Sequence, residues 1–200
     1  MGIIMNINTE KQSGSASNAD VVNLEEICGD MIIRPIGIVR NNIAAPSLVA
    51  GKDGLKISGG FEETMEKFRS VPDAVSEIIL KEEYVELCED IEKYSHLVII
   101  YWGHKITEDG RSLKKVHPMG VTTNPLTGLF CTNSPARPNP VLTKVVPLIG
   151  VKGNILTVTG LDAIDKSPVI DIKPYVREFY PQDGIRIPRW MQKIAEKYDS

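Results

Sequence analysis

Pro135, Pro138 and Pro140 fall within residues 128–140, fixing their own φ angles and pressing Ser134, Arg137 and Asn139 toward extended backbone. A guanidinium and an amide on so stiff a loop, just after the apolar Leu129-Phe130-Cys131, can meet an anionic or hydrogen-bonding ligand with little ordering entropy left to lose. The same spacing also suits a rigid turn in which Arg137 and Asn139 satisfy neighbouring carbonyls and carboxylates. Residues 160–175 supply the opposite sign. There Asp162, Asp165 and Asp171 stand among apolar residues, where an ionised carboxylate needs a partner or a ligand. An arginine loop and an aspartate-rich turn outline a two-sided site.

The other reactive side chains point away from metal and disulfide chemistry. His96, His104 and His117 show no metal-ligand spacing. Cys28, Cys88 and Cys131 are odd in number and widely spaced, which suits reduced, semi-buried thiols better than a disulfide framework or a closed zinc site. Cys131 adjoins the proline-rich loop, but with no general base at a readable spacing it reads as small apolar packing more than as a nucleophile.

Twenty-three basic and 26 acidic side chains give a formal net charge of −3, which excludes a general basic coat for nucleic acid. Any RNA contact has to be local, with Lys105, Arg111, Lys114 and Lys115 as the candidates. A chain of 200 residues suits one domain. It contains no apolar run of membrane-spanning length and no secretory signal pattern, so a cytoplasmic protein away from the membrane is expected.

The elements that must position these groups are mostly strands. Residues 1–30, rich in Ser, Asn, Ala and Gly and without periodicity, read as a flexible leader, and 31–200 as the domain. Strands are expected at 32–40, 54–59, 77–80, 84–87, 128–132, 142–150, 154–161 and 168–173, with Gly150 to Asn154 as a hairpin turn. Residues 95–102 are continuously apolar and should lie centrally. Residues 61–75 read as a loop or short helix, 89–94 as a polar helical turn, and 103–127 as a long functional loop. Pro188 to Lys197 reads as a short amphipathic helix whose Trp190, Met191 and Ile194 face packs on the barrel or a partner subunit. Many short strands with few helices predict a mainly β protein, a single small antiparallel-rich β-barrel with short peripheral helices.

Tyr94-Ser95-His96-Leu97, residues 128–141 with Arg137-Pro138-Asn139-Pro140, and residues 161–175 with Asp171-Ile172-Lys173-Pro174-Tyr175 together resemble the TsaA-like family, whose characterised branch is TrmO. The resemblance spans about residues 31–180 and implies a β-barrel that binds S-adenosylmethionine, commonly as a homodimer. For TrmO it implies methyl transfer to N6-threonylcarbamoyladenosine beside the anticodon of tRNA, without a metal. No glycine-rich dinucleotide fingerprint is present, which counts against a Rossmann enzyme and is expected of such a barrel.

By the same resemblance, Gly160-Leu161-Asp162 would hold the adenosine end, and Asp162 or Asp165 would accept hydrogen bonds or favour the sulfonium. Arg137 would engage the donor carboxylate or fix its loop. Asn133, His104 and Lys105 fall in the presumed cofactor site, and Asp165 and His104 are the candidate proton acceptors. Direct in-line displacement would follow, with geometry supplying most of the rate. His96 reads as a structural hydrogen-bonding residue and His117 as solvated.

Three stretches depart from the TrmO pattern. Asn133 stands where Arg is usual, Lys166-Ser167 where Gly-Thr is usual, and Val141-Leu142 where Ile-Gly is usual. A small-metabolite methyltransferase and a noncatalytic S-adenosylmethionine-binding module are the competing readings.

Overall fold

The computed structural model describes residues 29, 31–51, 54–59 and 61–198. The expected leader over 1–30 lies, Gly29 apart, outside them. The architecture below belongs to the compact unit Pro35–Ser200. In chain order its strands and helices are β1 (Gly37–Arg40), β2 (Leu48–Gly51), β3 (Gly54–Ile57), α1 (Phe61–Ser70), β4 (Val75–Leu80), β5 (His96–Trp102), α2 (Glu108–Arg111), β6 (Lys115–Val116), β7 (Thr127–Gly128), β8 (Val141–Lys152), β9 (Ile155–Thr159), β10 (Pro168–Pro174) and α3 (Arg189–Tyr198).

Six strands close a barrel in the order β1-β10-β5-β8-β9-β4, and every pairing is antiparallel. Closure removes exposed sheet edges. It needs bent strands, and the register shifts at Leu148/Gly150 in β8 and at Val169/Asp171 in β10 provide bends of the kind a bulge makes. The strand period of two turns Leu97, Ile99 and Tyr101 of β5 inward, where they meet Val39, Ile78, Val146, Leu156 and Val169 in the core. As its apolar run predicts, β5 is central, paired along its length with β8 and β10.

Several sequence expectations change. Residues 84–87, expected as a strand, belong to the 3-10 segment Glu82–Cys88; the charges interleaved with the apolar residues fit a helical period equally well. The 128–132 strand shrinks to β7, followed by a 3-10 turn over Leu129–Cys131. Of the two readings of residues 61–75, the helix is the one found, as the ten-residue α1. Residues 103–127 contain α2, β6 and a further 3-10 turn. The hairpin turn is tighter than expected: β8 runs on to Lys152, leaving Gly153-Asn154 as a two-residue turn with the positive φ on its glycine. Cys131 is exposed and not packed, while Cys88 is half-buried against the core, and burial raises its thiol pKa.

Outside the barrel, the β2–β3 ladder and the β6–β7 ladder form a small second layer. Leu55, Val116, Leu129 and Ala136 are its core.

Lys166 has φ +65° in a turn closed by Ser167 N–H to the Ile164 carbonyl at 3.0 Å. Its third position favours glycine, which has no Cβ to clash in left-handed backbone. This is where the family pattern usually has Gly. Lys166→Gly is therefore expected to stabilise the fold by about 1 kcal/mol, read as a melting temperature higher by roughly 2–4 °C; an unchanged or lower value would contradict it.

Candidate functional site

A cleft of about 870 Å³ opens beside one end of the barrel. Its walls come from segments adjoining the strands. Residues 42–48 follow β1, Gly103 to Ile106 follow β5, Thr132 to Pro135 and Arg137 precede β8, and Asp162 and Ile164 lie between β9 and β10.

Arg137 shows what the proline-rich loop does with its cation. Its Nε donates to the Ser134 carbonyl at 3.0 Å and one terminal nitrogen donates to the Thr132 carbonyl at 2.7 Å. Thr132 Oγ1 accepts from Ser134 N–H at 3.2 Å, and Ser134 Oγ accepts from Ala136 N–H at 3.2 Å. The guanidinium thus ties its own loop, with three of its five N–H groups left over from these two bonds. Both readings of Arg137 survive: it fixes the loop and still faces the cleft.

The acidic turn contributes Asp162. Its Oδ1 accepts from the buried Tyr101 hydroxyl at 2.8 Å, and its Oδ2 lies 3.9 Å from Lys144 Nζ. Burial, and then the Asp162 carboxylate, hold the Tyr101 phenol protonated far above its ordinary range. Tyr101 therefore remains a donor and fixes the carboxylate, leaving Oδ2 toward Lys144. Sequence reading missed Tyr101 and Lys144. Tyr101 belongs to a run that is apolar throughout, and β8 gives no sign of which face Lys144 takes; only the β5–β8 register brings them to the same end of the barrel.

His104 Nδ1 shares a 3.2 Å hydrogen bond with the hydroxyl of Ser167, which is buried. Partial burial and then the adjacent Lys105 lower the His104 pKa, with Asp165 opposing. The imidazole is accordingly neutral at physiological pH and free to take a proton.

Of the residues singled out in the sequence, His104, Lys105, Asn133, Arg137 and Asp162 line this cleft. Gly160, Leu161 and Asp165 do not. Leu161 is fully buried in the barrel core. Gly160 has φ +77° and donates N–H to the Ala74 carbonyl at 3.0 Å. Asp165 Oδ1 accepts from Asn41 N–H at 3.1 Å, so its carboxylate ties down the turn after β1. Asn41 then donates to Ser76 Oγ and the Ala163 carbonyl. Asp171 also lies off the cleft, paired with Lys173. His96 shares a hydrogen bond with Ser95 Oγ, in keeping with a structural role. His117, expected to be solvated, instead holds its loop through Nδ1–H to the Asn124 carbonyl at 2.7 Å. Arg111 stacks on Trp102 and pairs with Glu108, whereas Lys105, Lys114 and Lys115 are exposed.

Residues 62–180 match the family model described as the tRNA-methyltransferase O N-terminal domain. The chain belongs to this TrmO family. It is 34% identical over 83% of its length to a probable S-adenosyl-L-methionine-binding protein of Pyrococcus abyssi, covering 79% of that protein. It is 37% identical over 74% of its length to an S-adenosyl-L-methionine-binding protein of Archaeoglobus fulgidus, covering 91% of that one. A crystal structure of TrmO from Pseudomonas aeruginosa superposes with a TM-score of 0.54 at 25% identity over 78% of this chain. The chain spans 60% of the length of that TrmO chain. The shared barrel is the one derived above from its strand pairings.

Among the described residues no helix is long and apolar enough to cross a membrane.

Proposed function

We propose that this TrmO-family chain is an S-adenosylmethionine-dependent methyltransferase and that its acceptor is N6-threonylcarbamoyladenosine beside the anticodon of tRNA. The observation that carries the reading is that the Arg137-tied loop and the Tyr101-fixed Asp162 open onto one cleft.

The residues present fit the donor. Lys105 and the unspent N–H groups of Arg137 suit its carboxylate, Asp162 suits ribose hydroxyls or the sulfonium charge, and Ile106, Leu142 and Ile164 give an apolar bed. When bound, the donor supplies a methyl group already activated by positive sulfur. The chain's part is to orient the acceptor nitrogen, exclude water and receive the released proton. His104, neutral and in the lining, is assigned that proton, and Asp165 acts as a positioning group through Asn41. The reading extends to tRNA as partner and to a homodimer, for which exposed Val145, Ile149 and Val151 along β8 offer an apolar surface.

One observation favours a small-metabolite acceptor. Exposed Asn133 lines the cleft where the family pattern usually has a phosphate-matching Arg. Labelled donor with tRNA bearing the threonylcarbamoyl group decides between them: incorporation into tRNA is expected. Intact donor binding with label only in metabolite extract would transfer the assignment, and label in neither would leave a binding module. The tRNA reaction should also lose rate only below pH 6.5, the ordinary histidine value, because His104 titrates lower. Its neutral form is the active one, so the loss appears as pH falls; a rate that rises toward acid contradicts this role.

A further inference from the structure

The segment beyond the family-matched region supplies a wall of the cleft. Residues 181–189 are all exposed, and α3 then places Trp190, Met191 and Ile194 in the lining. The helix start is fixed, because Met191 and Gln192 both donate backbone N–H to the Pro188 carbonyl, at 2.9 and 3.1 Å.

Resting on the methyl-transfer reading above, we propose that Trp190 is the stacking platform for the purine ring of the methyl acceptor. The two tryptophans of the chain stand in contrast. Trp102 is buried and the Arg111 guanidinium covers its ring at 5.6 Å. Trp190 is half-buried at the cleft, and among the described residues no ring or cation stacks on it. An indole in the lining of a binding cleft, with no stacking partner among the described residues, suits a flat ligand.

Three further features select the acceptor over the donor. The groups assigned to the donor, Arg137, Asp162 and Lys105, all come from within residues 62–180, so α3 adds a surface they do not need. The cleft, about 870 Å³, sits near the top of the roughly 300–1,000 Å³ range of small-molecule sites, which leaves room for a second ring system. Lys67, paired with Glu63 at 2.7 Å, also lines it, and a base on an aromatic face with a cation beside the backbone is how unpaired nucleotides are held.

The test uses the full chain saturated with S-adenosylhomocysteine, with adenosine monophosphate and an anticodon stem-loop RNA as probes. Each probe should quench tryptophan emission in the wild type and not in Trp190→Leu. Calorimetry should show probe affinity about tenfold weaker in Trp190→Leu and within about twofold of wild type in Trp190→Phe, with S-adenosylhomocysteine affinity unchanged in both. Unchanged probe affinity in Trp190→Leu overturns the proposal. So does tighter binding, which would make α3 an obstructing cap, or an equal loss of donor-product affinity, which would give the indole to the donor's own adenine. The readout is binding, so it separates from the function above: quenching without methyl transfer to tRNA removes the tRNA assignment and keeps the platform. A wild type that binds neither probe removes the platform.

Discussion

Arg137→Ala is expected to weaken S-adenosylmethionine binding by about 100-fold, while Arg137→Lys recovers only part of that loss. The alanine variant deletes the unspent guanidinium N–H groups proposed to meet the donor carboxylate, together with the two bonds to the Ser134 and Thr132 carbonyls that hold them in place. Hydrogen bonds to a charged donor are worth about 1.5–3 kcal/mol each where they are sheltered, and Arg137 is half-buried. A net cost of about 2.7 kcal/mol corresponds to the 100-fold figure. Lysine can place one ammonium near one carbonyl but cannot span two with a planar fork. The proline rings keep parts of the loop extended, so the variant should still fold, at a modestly lower melting temperature, and lose pre-organisation of the lining. Calorimetric titration of the three proteins with the donor, beside their thermal melts, measures this. An alanine variant that binds as tightly as wild type would show that the loop stands without its clamp and that the guanidinium does not meet the ligand.

Gly37→Ala should have the largest effect on stability. Gly37 sits in β1, where the barrel closes, opposite Leu80 of β4 on one side and Val169 of β10 on the other. A Cβ there would overlap the Ile79 carbonyl oxygen and come within 3.1 Å of the Leu80 Cα. Both are backbone atoms held in the ladder, so no side chain can swing away to relieve the overlap, and relief means parting β1 from β4. Overpacking ordinarily costs about 1–3 kcal/mol, and a rigid backbone neighbour puts this site at or above the upper end. At about 3 kcal/mol the melting temperature falls by roughly 6–12 °C. Donor affinity should fall as well, since β1 leads into the Asn41 turn that Asp165 ties and then into residues 42–48 of the cleft. A melt within a degree of wild type would show that the seam is looser than its geometry.

The two effects separate experimentally. Arg137 acts first on binding, with a smaller fall in the melt from the two loop bonds it loses, and Gly37 acts first on the melt. Lys166→Gly runs opposite to both, because it relieves a left-handed backbone that only glycine adopts without strain.

What the sequence determined by itself was whatever local covalent chemistry and short-range periodicity encode. The stiffness of the Arg137 loop follows from three prolines, the central place of β5 from an uninterrupted apolar run, and the β8–β9 hairpin from Gly153-Asn154 between alternating strands. The family resemblance was legible for the same reason, being carried by contiguous runs. What only the tertiary structure decided depends on strand register and on chain segments distant in sequence. Tyr101, Lys144 and Asp162 meet because β5 pairs with β8 and the turn before β10 folds over that end of the barrel. Asp165 resembles a site carboxylate in sequence, but a backbone N–H 124 positions away satisfies it. The apolar face of α3 was readable from its spacing, yet its destination was not: a helical period shows that Trp190, Met191 and Ile194 need a surface, and only the folded chain shows that the surface is the cleft.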